Sequence, residues 1–141
     1  MKIDFYLLKN NAADALWLIA CRILEKAYRQ QHQVYVFCEN QQDAEYLDEL
    51  LWTFKPDSFI PHHIQGEGPE PPPPIQIGYD KEPRGFNDIL LNLSLNVPIF
   101  YTRFKRIIEI VPADETKKML SREHFRVYQN AGIKPNTHEI A

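Results

Sequence analysis

Residues 34–38, Val-Tyr-Val-Phe-Cys (VYVFC), decide the fold. Such a short, continuous apolar run is typical of a strand buried on both faces between helices. It is preceded by an alternating strand pattern at residues 2–8 and a helical apolar period at residues 12–31, and Asn40 can cap a second helix directly after it. The order strand, helix, strand, helix predicts an α/β fold with right-handed crossovers and a largely parallel or mixed sheet, with helices on both faces.

Residues 54–74 interrupt this order. The segment FKPDSFIPHHIQGEGPEPPPP holds seven of the eleven prolines of the chain, so most of it cannot continue a helix or pair in a sheet. We expect extended polyproline II structure at residues 71–74. A rigid surface connector is favoured over a docking motif, because the run has no basic flank.

The second half of the chain resumes the α/β pattern. Strands are predicted at residues 75–78, 88–93 and 106–111, and a helix from about residue 114 to residue 131 that Gly132 ends. Leu120, Val127 and Ala131 are expected to point towards the core. The sequence therefore predicts a single domain over residues 1–132, with residues 133–141 as a C-terminal tail.

Composition narrows the function. The 141 residues carry a net charge of −3, which disfavours a protein whose whole surface binds nucleic acid. Residues 103–126 nevertheless hold seven basic and four acidic side chains. The chain has no membrane-span pattern or signal-peptide pattern, so a cytoplasmic protein is expected. Cys21 and Cys38 are predicted to be buried thiols, and no metal site or cofactor is expected.

No catalytic residues are predicted. The turn after the first strand, at residues 9–13, lacks glycine, so neither of the usual phosphate-binding loops is present. His62 and His63 are adjacent and would point to opposite faces of a strand, which excludes a shared metal. A small nucleotide-using α/β enzyme remains an alternative, as does direct binding of single-stranded DNA.

Two patterns suggest binding surfaces. A hydrophobic cluster lies at the end of the second helix and in the loop after it, and consists of Leu51, Trp52, Phe54, Phe59, Ile60 and Pro61. It either anchors a partner, through exposed aromatics such as Trp52 and Phe59, or covers a sheet edge of its own domain. In the last helix, Lys118, Arg122 and Arg126 repeat every four residues beside Phe125. This basic stripe is either an ordinary solvated helix face or a site for an acidic peptide with a hydrophobic end.

Several motifs together resemble the chi subunit family of bacterial DNA polymerase III. They occur in order along nearly the whole chain: residues 5–8 (FYLL), 47–52 (LDELLW), 58–62 (SFIPH), 66–69 (GEGP), 88–90 (DIL), 111–112 (VP), 122–123 (RE), Tyr128 and 131–132 (AG). The proline run after residue 68 departs from the family pattern.

This resemblance implies a non-catalytic accessory subunit of the clamp-loader complex with a Rossmann-like fold. It further implies a heterodimer with the psi subunit, and binding to the acidic, hydrophobic C-terminal tail of single-stranded DNA-binding protein. DNA would be contacted only indirectly, and the subunit would reach the nucleoid through the replication machinery.

The resemblance also assigns residues to the two surfaces. The surface for psi, or for a repair helicase that competes with it, would include Trp52, Phe59 and Pro61. Phe125 stands where the family commonly has tyrosine, and Arg126 where it commonly has lysine. The tail-binding positions would be Val111, Lys118, Arg122, Phe125 and Arg126.

Overall fold

The computed structural model describes residues 1–10, 12, 14–66 and 72–140, which form one seven-stranded sheet with three α-helices. In chain order the elements are β1 (Lys2–Leu8), α1 (Ala15–Arg29), β2 (Val34–Phe37), α2 (Gln41–Thr53), β3 (His62–Ile64), β4 (Ile75–Gly78), β5 (Ile89–Asn92), a 3-10 helix (Ile99–Arg103), β6 (Arg106–Val111), α3 (Glu115–Asn130) and β7 (Asn136–Ile140).

Every strand pair in this sheet is parallel, and the strand order is β3-β4-β2-β5-β6-β1-β7. The predicted α/β class is therefore confirmed, with an architecture consistent with a Rossmann-like fold. Strand β2 lies between β4 and β5 and is almost wholly buried, as its apolar sequence indicated. Strand β1 lies between β6 and the edge strand β7.

Two clusters of buried side chains cover the two faces of the sheet. On one face, residues of α1 and α2 such as Leu24 and Leu47 pack over the strands. On the other face, Phe5 of β1 packs with Tyr128 of α3 and with Phe100 of the 3-10 helix. Because side chains alternate along a strand, β1 directs Phe5 and Leu7 towards α3 and Leu8 towards α1.

The helix ends follow the capping signals of the sequence. The Asn40 side chain accepts a hydrogen bond of 2.9 Å from the backbone N–H of Asp43, and Asp114 accepts one of 3.1 Å from Lys117. Gly132, with φ +85°, lies just beyond α3 in the left-handed region that favours glycine. The N–H of Ile133 then donates to the Tyr128 carbonyl, which ends the helix where the sequence predicted.

The prediction of a C-terminal tail is wrong, and the predicted connector contains one short strand. Residues 136–140 are not a tail but form β7, which pairs in parallel with β1. A 2.8 Å contact between His138 Nε2 and buried Asp4 Oδ1 fastens this polar strand to the sheet. Within the predicted connector, residues 62–64 form the edge strand β3. Residues 67–71, where the predicted polyproline run begins, lie outside the described residues.

The buried face of α3 also differs from the prediction. Its buried residues are His124 and Tyr128, whereas Val127 is 43% exposed and Ala131 is exposed. The apolar periodicity was misleading because the buried face of this helix is built on polar contacts. Over the described ranges, no helix has the length and apolar character needed to cross a bilayer.

Candidate binding cleft and aromatic surface

A cleft of about 530 Å³ lies between α3 and the edge of the sheet formed by β6, β1 and β7. The parallel register places Leu7 beside Val111 of β6 and Glu139 of β7, so these three side chains share the face of the sheet that α3 covers. We call this cavity the α3 cleft. Its lining residues are Phe5, Leu7, Leu8, Lys9, Val111, Ala113, Lys118, Ser121, Arg122, Phe125, Thr137 and Glu139.

The floor of the α3 cleft is apolar. The rings of Phe5 and Phe125 have centroids 5.3 Å apart, and Phe125 is half-buried. Phe5 and Val111 are buried beneath the opening. A half-buried aromatic ring over a packed apolar floor can accommodate one further hydrophobic side chain, which would remove the remaining apolar surface from water.

Basic side chains line the walls of the α3 cleft. Arg122 is exposed and forms no ion pair with any residue in the described ranges. Lys118 Nζ lies 3.8 Å from Glu115 Oε1, and Lys9 Nζ lies 3.5 Å from Glu139 Oε2. All four partners in these two pairs are solvent-accessible, so the pairs contribute little stability and can exchange for other anions.

Four of the five predicted tail-binding residues line the α3 cleft, and the fifth does not. Val111, Lys118, Arg122 and Phe125 are lining residues, whereas Arg126 is exposed outside the lining. Helical geometry explains the separation, because positions eight residues apart differ by about 80° around the axis. The sequence had grouped all three cations into one stripe.

A buried polar network holds α3 against the sheet. Glu109 of β6 accepts a 2.7 Å hydrogen bond from the Tyr128 hydroxyl and a 2.9 Å bond from the Asn92 amide. His124 Nδ1 lies 3.0 Å from Glu109 Oε1, and His124 Nε2 lies 2.7 Å from the Leu95 carbonyl oxygen. The network thus fixes the position of α3. Arg122 lies on the exposed side of this helix, away from buried His124 and Tyr128.

Two opposing effects set the pKa of His124. Burial disfavours the charged ring, but the hydrogen bond and negative charge of Glu109 outweigh burial and raise the pKa of His124. Both ring nitrogens face acceptors, which only the protonated ring can satisfy together. Sequence reasoning missed this network. The available signal was Glu109, a carboxylate within the otherwise apolar run of β6, together with His124 and Tyr128 one helical turn apart.

The predicted hydrophobic cluster splits into a buried part and an exposed part. Leu51 and Ile60 are each 1% exposed and belong to the core. Trp52 and Phe59 are 51% and 64% exposed, with ring centroids 5.8 Å apart. The aliphatic members thus pack on their own domain, whereas Trp52 and Phe59 face solvent, and their role as anchors for a partner stays a prediction. We call Trp52, Phe59 and half-buried Pro61 the aromatic surface.

His62 supports this aromatic surface from below. Its ring centroid lies 4.5 Å from that of Trp52. The ring nitrogens of His62 lie 2.6 Å from the Ile60 carbonyl oxygen and 3.0 Å from the Asp48 carbonyl oxygen. The histidine therefore connects the end of α2 to the loop before β3, which holds Trp52 and Phe59 next to each other.

Comparison with known proteins identifies the family. The family model described as DNA polymerase III chi subunit, HolC, matches residues 1–136. The chain belongs to the DNA polymerase III chi subunit family. DNA polymerase III subunit chi of Pseudomonas aeruginosa is 34% identical over 139 residues, covering 99% of this chain and 96% of the relative. The chi subunit of Escherichia coli K12 is 34% identical, covering 94% of each chain, and that of Haemophilus influenzae is 32% identical, covering 97% and 96%.

Membership of the chi family supports an accessory role in DNA replication. Burial raises the pKa of both Cys21 and Cys38 to about 12, which leaves these thiols unreactive at neutral pH. In the described ranges, no three side chains of the metal-binding types come close enough to hold an ion. The α3 cleft and the aromatic surface are the exposed features that correspond to the two binding surfaces suggested by the sequence.

Proposed function

We propose that this chi-family chain is a non-catalytic accessory subunit of DNA polymerase III that connects the clamp loader to coated single-stranded DNA in the bacterial cytoplasm. In this proposal, the α3 cleft binds the acidic C-terminal tail of single-stranded DNA-binding protein. The aromatic surface pairs with the psi subunit, and a repair helicase competes for the same residues. The chain reaches DNA only through its protein partners.

The observation that carries the tail-binding proposal is the combination, in one recess, of an apolar floor with an arginine that has no ion-pair partner in the described part of the chain. A ligand that fits must present a hydrophobic side chain and negative charge close together. An acidic peptide with an aromatic end meets both requirements. A strand of nucleic acid fits less well, because successive bases need a row of exposed rings, and the other aromatic lining residue, Phe5, is buried.

The roles of the individual side chains follow from their positions. Val111 and Phe125 receive the aromatic side chain of the tail on the apolar floor. Arg122 pairs with a carboxylate at the opening, where a guanidinium can form two parallel hydrogen bonds. Lys118 attracts the acidic residues of the tail that precede its aromatic side chain, and exposed Arg126 contributes a longer-range attraction from outside the cleft.

The proposal for psi rests on the exposure of two large rings at one site. Trp52 and Phe59 keep more than half of their surfaces in solvent, although their neighbours Leu51 and Ile60 are fully buried. Tryptophan and other large aromatic residues commonly dominate protein interfaces when a rigid structure supports them. His62 provides that support, and Pro61 restricts the loop that carries Phe59.

A direct test measures the affinity of a fluorescent peptide that copies the tail of single-stranded DNA-binding protein. Arg122→Gln is expected to weaken binding about ten- to a hundredfold, because a charge-assisted contact is worth roughly 1.5–3 kcal/mol. Arg84→Gln is the matched control, since Arg84 is also exposed and lies far from the α3 cleft. The site assignment fails if Arg122→Gln and Arg84→Gln bind the peptide as tightly as the unmodified chain.

A further inference from the structure

The wall of the α3 cleft opposite the helix carries an ion pair that the tail-binding assignment does not use. Lys9, directly after β1, and Glu139 of β7 both line the cleft, with Lys9 Nζ 3.5 Å from Glu139 Oε2. Among the described lining residues, Glu139 is the one carboxylate. The two side chains are 64% and 70% exposed, so they meet at the opening rather than in the floor.

We propose that Glu139 is an internal competitor for the acidic ligand and that Lys9 is the cation it releases. In the empty cleft, Glu139 holds Lys9. When an acidic peptide enters, a peptide carboxylate takes the place of Glu139 beside Lys9, and Glu139 turns to solvent. This inference rests on the proposed tail-binding function and assigns the two residues that set the selectivity of the cleft.

Breaking the Lys9–Glu139 pair in favour of a peptide carboxylate costs little free energy. An ion pair this exposed contributes little to stability, because water solvates both charges well and ordering two flexible side chains is unfavourable. The incoming peptide brings several carboxylates into a recess that already contains Lys118 and Arg122 on the helical wall. With Lys9 released, cations act on the peptide from both walls, which is a more restrictive arrangement than a stripe on one helix.

The ion pair also explains how a basic cleft can discriminate between ligands of different charge. A neutral hydrophobic peptide leaves the Lys9–Glu139 pair in place and gains nothing from Lys9. A weakly anionic ligand must overcome repulsion by Glu139 to reach the same cation. A ligand with several clustered carboxylates can both replace Glu139 beside Lys9 and overcome the repulsion by Glu139.

A double-mutant cycle with the tail peptide tests this inference. We expect Glu139→Gln to tighten binding about two- to fivefold and Lys9→Gln to weaken it by a similar factor, as is typical of exposed charge pairs. In the Lys9→Gln background, Glu139→Gln should tighten binding clearly less, because no lysine remains to be released. Glu123→Gln and Lys134→Gln are the matched controls, since both residues are exposed and neither lines the cleft.

The outcomes separate this inference from the proposed function. If Arg122→Gln weakens binding but Glu139→Gln leaves the affinity unchanged, the tail-binding site stands and the competitor role is refuted. Equal tightening by Glu139→Gln with and without Lys9 refutes it as well, because Glu139 would then act only through its general field. If the unmodified chain does not bind the peptide, or if Arg122→Gln has no effect, the proposed function and this inference fail together.

Discussion

The α3 cleft and the aromatic surface lie on different helices and present opposite kinds of chemistry. The cleft is recessed, has an apolar floor and exposes cations such as Arg122 at its walls. The aromatic surface protrudes and exposes Trp52 and Phe59. Under the proposed function, charge selects the ligand of the first site, whereas burial of the exposed aromatic area stabilises the partner at the second.

The two regions also differ in how they are anchored. Helix α3 is held to β6 through the ionisable pair His124 and Glu109. The end of α2 is held through His62, whose ring nitrogens face the Ile60 and Asp48 carbonyl oxygens and whose Nε2 lies 3.4 Å from Asp48 Oδ1. Helix α3 is therefore anchored on a carboxylate buried in the sheet, whereas the end of α2 is anchored on contacts with its own last turns and the loop that follows.

The largest effect is expected for a substitution in the aromatic surface, and it should change the affinity for one partner only. Trp52→Ala should weaken binding to the psi subunit of the same bacterium about thirtyfold or more, because a central aromatic anchor is worth about 2 kcal/mol or more. Tail-peptide affinity should stay unchanged. Isothermal titration calorimetry with each partner measures both quantities.

Ile99→Ala is the control for this substitution, since Ile99 is an exposed apolar residue, at 87%, in the distant 3-10 helix. Normal binding of psi by the Trp52→Ala chain would show that psi does not bind at the aromatic surface. A chain that loses tail binding as well would show that the two sites are not independent.

A smaller effect is expected at the floor of the cleft. Phe125→Ala removes half of the packed aromatic pair with Phe5 and should weaken tail-peptide binding about ten- to thirtyfold, mainly through lost apolar contact area. Phe125→Tyr keeps the ring and should change the affinity less than about threefold. Fluorescence anisotropy measures both variants, and a tyrosine variant as weak as the alanine variant would exclude the apolar-floor account.

Ionic strength should distinguish the partners without any substitution. Tail binding is expected to weaken several-fold between low and high salt, because the cations that line the cleft are exposed and therefore screened. Binding to psi through Trp52 and Phe59 should change much less. Affinities measured over a series of sodium chloride concentrations give the two slopes, and equal slopes would contradict the division into a charged and an apolar site.

The last effect concerns the stability of the fold rather than binding, and it tests how α3 is anchored. The pKa of His124 in the folded chain is raised above its usual 6.5, so the protonated ring stabilises the fold fully below about pH 6.5 and progressively less as the pH rises through the raised pKa. His124→Asn should therefore cost roughly 1–3 kcal/mol at pH 5.5 and less at pH 9. Thermal unfolding of both chains across this range measures the difference, and a cost that grows with pH would have the wrong sign.

Much of the fold was predictable because the decisive segments are buried on both faces. The run at residues 34–38 has no polar residue and matches strand β2. Strand β7 was missed for the opposite reason. Its residues NTHEI are almost all exposed, and backbone pairing with β1 together with the His138–Asp4 contact determines its position. No apolar pattern along the chain could indicate either contact.

The candidate site was predictable on one wall only. Lys118, Arg122 and Phe125 recur at helical spacing, so the sequence places them together on α3. The opposite wall, which includes Lys9 and Glu139, depends on the strand order that brings residues from the two ends of the chain side by side. Local periodicity carries no information about that order.

The most direct test of the central claim is an amide NMR titration of the unmodified chain with the tail peptide. The account predicts that the largest chemical-shift changes occur around the α3 cleft, at residues 7–9, 111–113, 118–125 and 137–139. Residues 52–61 should shift little. Changes centred on residues 52–61, or spread over the basic residues without a maximum at the cleft, would contradict the assignment of the acidic tail to the α3 cleft.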